Sequence, residues 1–189
     1  AISPAYAFLC DDGGAPVLWS MCEGHDEGAI QMLVNARADL HLADARGIPP
    51  LSACCIYDGS PSCVSLLLEA KATVDQQHTK SRATPLLVAA HDGNVECVRR
   101  LLAAGANVRY QQVDGMSALH SSCEMGYHEC VEVLLAHKAD ANLLSLQRFT
   151  PMLLACQNGH ARCLEQVLPV SSANTRAMTA RSGADAFIM

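Results

Sequence analysis

Apolar and polar positions along the chain follow a pattern that recurs about every 33 residues. In each copy a short apolar run rich in Ala and Leu ends at a glycine, and a second apolar stretch follows. Such segments favour short, closely packed helices, and a glycine between them marks a break in the helix. The pattern therefore predicts pairs of short helices joined by polar connectors. The glycines at the breaks are Gly24, Gly59, Gly93, Gly126 and Gly159.

The cysteines give the length of the period. Cys97, Cys130 and Cys163 lie 33 residues apart, and Cys63 lies 34 residues before Cys97. A fixed period of this size is typical of a stack of supersecondary units, each of which packs against its neighbours. We therefore expect a stack of helix pairs and not a single closed core.

The ends of the predicted helices carry ordinary start and stop signals. Thr84 and Thr150 are suited to capping the amino end of a first helix, and Pro85 and Pro151 fit its first turn. Pro169 should end the second helix of the last copy early, because proline cannot continue a helix.

Several strings at matching places in the copies resemble the ankyrin repeat. The resemblance covers about residues 10–168. It implies an all-α solenoid of stacked helix-turn-helix units with short β-hairpin-like connectors. The strings are Thr84-Pro85-Leu86, Thr150-Pro151-Met152, Ala118-Leu119-His120, Gly159-His160 and Gly105-Ala106-Asn107.

The resemblance also divides the chain. Residues 1–9 form an N-terminal segment, and 169–189 are either a tail or the start of a sixth repeat, because 183–187 echo the opening of the fourth. The five repeats are expected at about residues 10–43, 44–78, 79–111, 112–144 and 145–168.

The sequence departs from the family pattern after most of the second helices. There the resemblance implies a left-handed residue that ends the helix, a conformation that glycine adopts most easily. Gly105 keeps the glycine, whereas Arg37, Lys71 and Lys138 replace it.

Composition and charge restrict the kinds of partner. Half of the 189 residues are hydrophobic, only 4% are aromatic, and the formal net charge is −6. Lys and Arg are dispersed, so neither nucleic acid nor an anionic membrane is expected as a partner. The longest apolar runs, such as residues 86–90, are too short to span a bilayer, so no direct membrane insertion is expected.

The ten cysteines suggest packing more than chemistry. Neighbouring positions along the 33-residue series should lie about 8–10 Å apart, too far to share a metal ion or a disulfide. Pairs within one repeat, Cys123/Cys130 and Cys156/Cys163, stay open as neighbours. Ala90 replaces cysteine at the slot of Cys123 and Cys156, which favours a packing role. We expect no enzyme activity, no metal and no cofactor.

The cysteine usage also predicts a reducing intracellular compartment, with the cytoplasm favoured and an organelle reached through a removed transit peptide left open. The chain begins with Ala and is read as a fragment or as a chain whose amino-terminal segment was removed. Its first ten residues lack the pattern of a secretory signal.

In the ankyrin resemblance, connector tips and the ends of the first helices form a concave binding surface. Apolar residues at these places indicate a protein partner, although some of the side chains could instead fold back onto the stack. The candidate partner-binding residues are Ile48, Tyr57, His91, Val113, Met116, Met125, Leu146 and Phe149.

Three hypotheses about the function follow. The first is a non-catalytic adaptor or scaffold that binds a protein through this surface. The alternative is a structural subunit held permanently in a larger assembly, and a weaker alternative is a redox-sensing thiol protein. Trp19 either packs on residues 5–10 as a cap or anchors a partner.

Overall fold

The computed structural model describes residues 16–172, which are helical and contain no strand. The predicted all-α architecture is therefore confirmed for this part of the chain. The chain divides between Ala106 and Asn107 into two compact units. We call residues 16–106 the N-terminal unit and residues 107–172 the C-terminal unit. The predicted N-terminal segment and the proposed start of a sixth repeat lie outside the described residues, and the repeat boundaries stay a prediction.

The N-terminal unit consists of helix pairs in two layers. The first helices α1, α3 and α5 pack against one another in order, and the second helices α2, α4 and α6 form the other layer. The helices are α1 Val17–Glu23, α2 Glu27–Asn35, α3 Pro50–Ala53, α4 Pro61–Glu69, α5 Pro85–His91 and α6 Val95–Ala103.

The C-terminal unit repeats this arrangement. Helices α7 and α9 pack on each other, α8 and α10 form the second layer, and each pair is closed by packing of α7 on α8 and α9 on α10. After α10 a short 3₁₀ helix spans Leu168–Val170, which confirms that Pro169 prevents the α-helix from continuing. The α-helices are α7 Ala118–Met125, α8 His128–Ala136, α9 Pro151–Gln157 and α10 Ala161–Val167.

The predicted helix starts are only partly confirmed. The Thr150 hydroxyl accepts a hydrogen bond from the Leu153 amide at 3.2 Å, so it caps α9. Pro85 and Pro151 occupy the first turns of their helices. Thr84 also has the extended backbone of a cap, but its hydroxyl makes no capping bond and is buried without a hydrogen-bond partner. For Thr84 the prediction of side-chain capping is wrong.

The connectors fold into tight turns that resemble β-hairpins without forming strands. Gln111 and Ser117 form an isolated antiparallel bridge. Each turn is closed by a backbone hydrogen bond, from Asp44 to Ile48, from His78 to Ala83, from Gln112 to Met116 and from Ser145 to Phe149. These turns fix the direction in which the connector side chains leave the layers.

The residues that end the second helices are left-handed, as the resemblance implies. Gly105 has φ 89°, and Arg37, Lys71 and Lys138 have φ 61°, 72° and 63°. A residue with a side chain in this region costs about 1–2 kcal/mol relative to the right-handed form. The three basic residues are therefore local sites of strain.

Replacing Lys138 with glycine is expected to raise the free energy of unfolding by about 0.5–1 kcal/mol, because glycine adopts the left-handed conformation at little cost. The matched control is Gly105→Ala. A Cβ at Gly105 meets no atom within 4 Å, so this change tests the backbone alone and should cost a similar amount. Urea unfolding followed by circular dichroism measures both, and a destabilised Lys138→Gly variant would contradict the prediction.

Candidate functional site

In the C-terminal unit, two of the predicted residues line one cleft. Met116 comes from the connector before α7, and Phe149 comes from the connector before α9; both side chains are half-buried. The cleft has a volume of about 260 Å³. Its other lining residues are Asp114, Glu124, Ser145, Gln147 and Leu154.

The two connectors are held together by their backbones. The Leu146 amide donates a hydrogen bond to the Asp114 carbonyl at 2.8 Å. This close approach requires glycine at position 115, where φ is 80° and an added Cβ would lie only 2.7 Å from the Leu146 nitrogen. Asp114 also accepts the Met116 amide at 2.8 Å, which fixes the turn from which Met116 projects.

A buried histidine, His120, contacts the backbone of Phe149, one of the residues that line the cleft. His120 is 0% exposed, and its Nδ1 lies 2.8 Å from the Ser117 hydroxyl in a capping box at the start of α7. Because Nδ1 also accepts the Ser117 amide, the proton is on Nε2, which donates to the Phe149 carbonyl at 3.1 Å. Burial lowers the pKa of His120, outweighing the carbonyls of Phe149 and Leu143 that act to raise it.

Three exposed apolar residues lie directly next to cleft residues in the sequence. The exposed fractions are 53% for Val113, 42% for Met125 and 75% for Leu146. Large apolar side chains at this exposure are unusual only when they cluster, and these three belong to the same connectors and helix end as the cleft. Two carboxylates, Asp114 and Glu124, are also exposed there.

In the N-terminal unit, Asp92 brings two further predicted residues together. The Tyr57 amide donates to one Asp92 oxygen at 2.7 Å, and His91 Nδ1 lies 2.7 Å from the other. Tyr57 is 69% exposed and has φ 56°, so its ring is presented from a left-handed turn. His91 is exposed.

Ile48 belongs to a different group of side chains in the N-terminal unit and is half-buried. Its amide donates to Asp44, and the Arg46 guanidinium donates to the same carboxylate at 2.7 Å. Burial acts to raise the pKa of Asp44, but the bonds from Arg46 and Ile48 outweigh it and hold the pKa below its usual range. Arg46 also lies 5.1 Å from the centre of the Trp19 ring.

Trp19 therefore contacts this group of side chains through Arg46. It is 5% exposed, and its indole nitrogen is buried without a hydrogen-bond partner. Burial favours packing over direct contact with a partner. Residues 5–10, which the sequence offered as its packing surface, lie outside the described part of the chain.

Three polar residues of the cleft were expected on the same surface but were not among the candidate partner-binding residues. Asp114 and Gln147 belong to the predicted connector tips and Glu124 to a predicted helix end, but their polar character gave no reason to include them in an apolar band. Ser145 and Leu154 are buried and follow the ordinary repeat pattern. Their part in the cleft depends on how the two connectors meet, for which the sequence carries no signal.

The nine described cysteines are buried, and none of them forms a disulfide with another described residue. Burial raises the pKa of Cys123, and it raises the pKa of Cys163 to about 11. In the N-terminal unit, neighbouring thiols and burial act together: Cys22 and burial raise the pKa of Cys54, and Cys97 and burial raise the pKa of Cys55. Neither Cys54 nor Cys55 belongs to the 33-residue series, so the period gave no signal for these neighbours.

Among residues 16–172, no three side chains of His, Cys, Asp or Glu converge in a way that would hold a metal ion. No helix in that range combines the length and the apolarity needed to cross a membrane.

Comparison with known proteins identifies the family. The family described as ankyrin repeats matches in three overlapping copies, at residues 17–112, 51–145 and 86–179. The human (Homo sapiens) protein named Ankyrin repeat and SOCS box protein 16 is 36% identical over 111 residues, which cover 59% of this chain. The match spans 24% of the length of that relative. The chain therefore belongs to the ankyrin repeat family, whose repeats generally mediate protein–protein interaction and are typically non-catalytic.

Proposed function

We propose that the chain is a non-catalytic adaptor that binds a protein partner through the connector tips and first-helix ends, the face that is concave in ankyrin repeats. The observation that carries this proposal is the cleft between Met116 and Phe149. It combines an apolar lining with an acidic rim at Asp114 and Glu124. Such a combination suits one anchoring side chain of a partner.

The size of the cleft favours a side chain over a cofactor. Its volume of about 260 Å³ falls below the range of roughly 300–1,000 Å³ that is usual for small-molecule sites. A leucine, methionine or phenylalanine side chain of a partner would contact Met116, Phe149 and Leu154. A neighbouring lysine or arginine of the partner would face the carboxylates of Asp114 and Glu124.

The N-terminal unit offers a second contact region. Tyr57 combines high exposure with a fixed backbone, because its amide is bound to Asp92. Aromatic residues held in this way contribute contact area at a low cost in conformational entropy. We include Tyr57 and His91 in the binding surface, together with Ile48, Val113, Met125 and Leu146.

The alternative function, a permanent structural subunit, is favoured by apolar exposure elsewhere. Met32 on α2 is 51% exposed, and Val170 after α10 is 53% exposed. A chain held in a permanent assembly exposes more apolar surface when it is isolated. Its partners would then cover second helices as well as the cleft.

Co-purification of the tagged chain from native extract separates the two functions. An adaptor is expected to yield partners that exchange with added untagged chain. A subunit is expected to yield partners at fixed stoichiometry that resist high salt. Recovery of the tagged chain without any partner would contradict both functions.

The compartment belongs to the proposal as well. We propose that the chain acts in a reducing intracellular compartment, with the cytoplasm favoured. The nine buried cysteines of the described residues, none of which is in a disulfide with another described residue, support this, since disulfides form readily in oxidising compartments.

A further inference from the structure

Asp92 holds two residues of the proposed binding surface at once. Its backbone is fixed at the end of α5, where its amide donates to the Val88 carbonyl at 3.0 Å. One carboxylate oxygen accepts the Tyr57 amide at 2.7 Å, and the other lies 2.7 Å from Nδ1 of His91. The Asp92 side chain is 22% exposed, so both contacts are partly shielded from water. Asp92 therefore sets the positions of residues that follow α3 and end α5.

The backbone of Tyr57 is held from its other side as well. The side-chain amide of Asn94, at the start of α6, donates to the Tyr57 carbonyl at 2.8 Å. Gly59 leaves space for this contact, because a Cβ there would lie 2.6 Å from the Asn94 side-chain nitrogen. Tyr57 has φ 56°, a conformation that a bulky residue keeps only when its surroundings impose it. The two bonds impose it here, so the exposed Tyr57 ring projects from a fixed turn.

The contact with Asp92 also determines which nitrogen of His91 carries the proton. An ionised carboxylate accepts hydrogen bonds and cannot donate them, so Nδ1 of His91 is the donor at 2.7 Å. In the neutral ring the proton is therefore on Nδ1, and Nε2 carries a lone pair. The His91 side chain is 57% exposed, so this ring offers a hydrogen-bond acceptor to a partner.

His120 in the C-terminal unit has the opposite arrangement. Its Nδ1 accepts the Ser117 amide at 3.2 Å, and the proton on Nε2 is donated to the Phe149 carbonyl. The chemical group that faces Nδ1 thus decides whether Nε2 donates or accepts. For His91 that group is the carboxylate of Asp92.

We propose that Asp92 is a positioning residue of the binding surface, and that it makes the region of Tyr57 and His91 specific for a partner side chain that donates a hydrogen bond. This inference rests on the proposed function, because it assigns a chemistry to two residues of that surface. The donor of the partner bonds to Nε2 of His91, and an apolar part of the same segment packs on the Tyr57 ring. An aspartate or glutamate of a partner would meet an acceptor and a carboxylate of like charge, so it is rejected.

The position of the proton is tested without a partner. Long-range ¹H–¹⁵N NMR spectra of the full chain at about pH 8.5, where imidazole is ordinarily neutral, distinguish protonated from unprotonated ring nitrogens. The unchanged chain is expected to show His91 protonated on Nδ1 and His120 protonated on Nε2. A protonated Nε2 on His91 in this spectrum would overturn the proposal, whatever any variant shows.

Asp92→Asn is expected to reverse His91 alone. The oxygen of the new amide would still accept the Tyr57 amide, and its nitrogen would donate to Nδ1 of His91. The proton of His91 then moves to Nε2, whereas His120 keeps its proton where it was. Helical content and the melting temperature should stay close to those of the unchanged chain. If the variant keeps its fold and His91 stays protonated on Nδ1, Asp92 does not control the ring and the proposal is overturned.

Binding of a co-purified partner at the same pH tests the specificity. Asp92→Asn is expected to weaken binding by about tenfold, the usual effect of one lost and mismatched hydrogen bond. The matched control is Asp58→Asn, which removes an exposed carboxylate next to Tyr57 and should keep the affinity. Equal weakening by both variants would assign the effect to charge and overturn the proposal. If Asp92→Asn binds normally while the Met116→Glu/Phe149→Glu variant does not, this inference falls and the proposed function stands.

Discussion

Replacing Met116 and Phe149 together with glutamate is expected to abolish partner binding and to leave helical content and the melting temperature close to unchanged. Both side chains are half-buried in the cleft, and truncating such central contacts typically costs about 2–4 kcal/mol of binding. The two added carboxylates would stand where the apolar anchoring side chain of the partner contacts Met116 and Phe149, so that side chain would lose its apolar contacts. Calorimetry or surface plasmon resonance with a co-purified partner measures the loss.

Met32→Glu is the matched control for this prediction. It places the same acidic group at a comparably exposed apolar position, 51% exposed, but on the second helix α2. An adaptor that binds through the cleft keeps its partner in the Met32→Glu variant. If binding survives in the Met116/Phe149 variant and is lost in the Met32 variant, the binding surface has been assigned to the wrong face.

Replacing His120 with alanine is expected to lower the free energy of unfolding by roughly 2–4 kcal/mol. The change removes the capping interaction with Ser117 and the bond to the Phe149 carbonyl, and it leaves a cavity under the cleft. Chemical unfolding followed by circular dichroism measures the loss. His137→Ala is the control, because His137 is exposed at the end of α8 and its Nδ1 lies 2.9 Å from the Val133 carbonyl of the same helix, and losing one such bond typically costs about 1 kcal/mol. Equal effects of the two substitutions would contradict the structural role of His120.

The same histidine predicts a dependence of stability on pH. Its pKa in the folded chain lies below the ordinary value of 6.5, so the folded state favours the neutral ring. Its contribution to stability is therefore fully present above about pH 6.5 and is lost as the pH falls from there through the folded pKa. Unfolding of the unchanged chain and of His120→Ala, measured at several pH values, should converge on acidification. Parallel curves would exclude His120 as the source of the pH dependence.

The strained helix ends show what a family pattern can predict. The resemblance placed left-handed residues at Arg37, Lys71 and Lys138 although none of them is glycine, and all three are left-handed. The 33-residue period fixes where each second helix must end, because the chain must then return to the layer of first helices and begin the next repeat there. The identity of the side chain at that position changes the free-energy cost of the left-handed conformation, but it does not change the conformation itself.

Capping illustrates the opposite case. Thr84 and Thr150 stand in the same sequence setting, yet only the Thr150 hydroxyl caps its helix. The choice between a capping bond and no bond depends on the rotamer that each local environment allows. A sequence pattern states that a hydroxyl is present, but it does not state where that hydroxyl points.

The sequence by itself determined the helix pairs, their order and the residues at connector tips, because apolar periodicity and glycine breaks act locally along the chain. Only the tertiary structure decided which of these residues meet. It placed Met116 beside Phe149 in a cleft and joined Tyr57 to His91 through Asp92. These contacts depend on backbone hydrogen bonds and close approaches between segments of neighbouring repeats, and a periodic pattern is the same whether such contacts form or not.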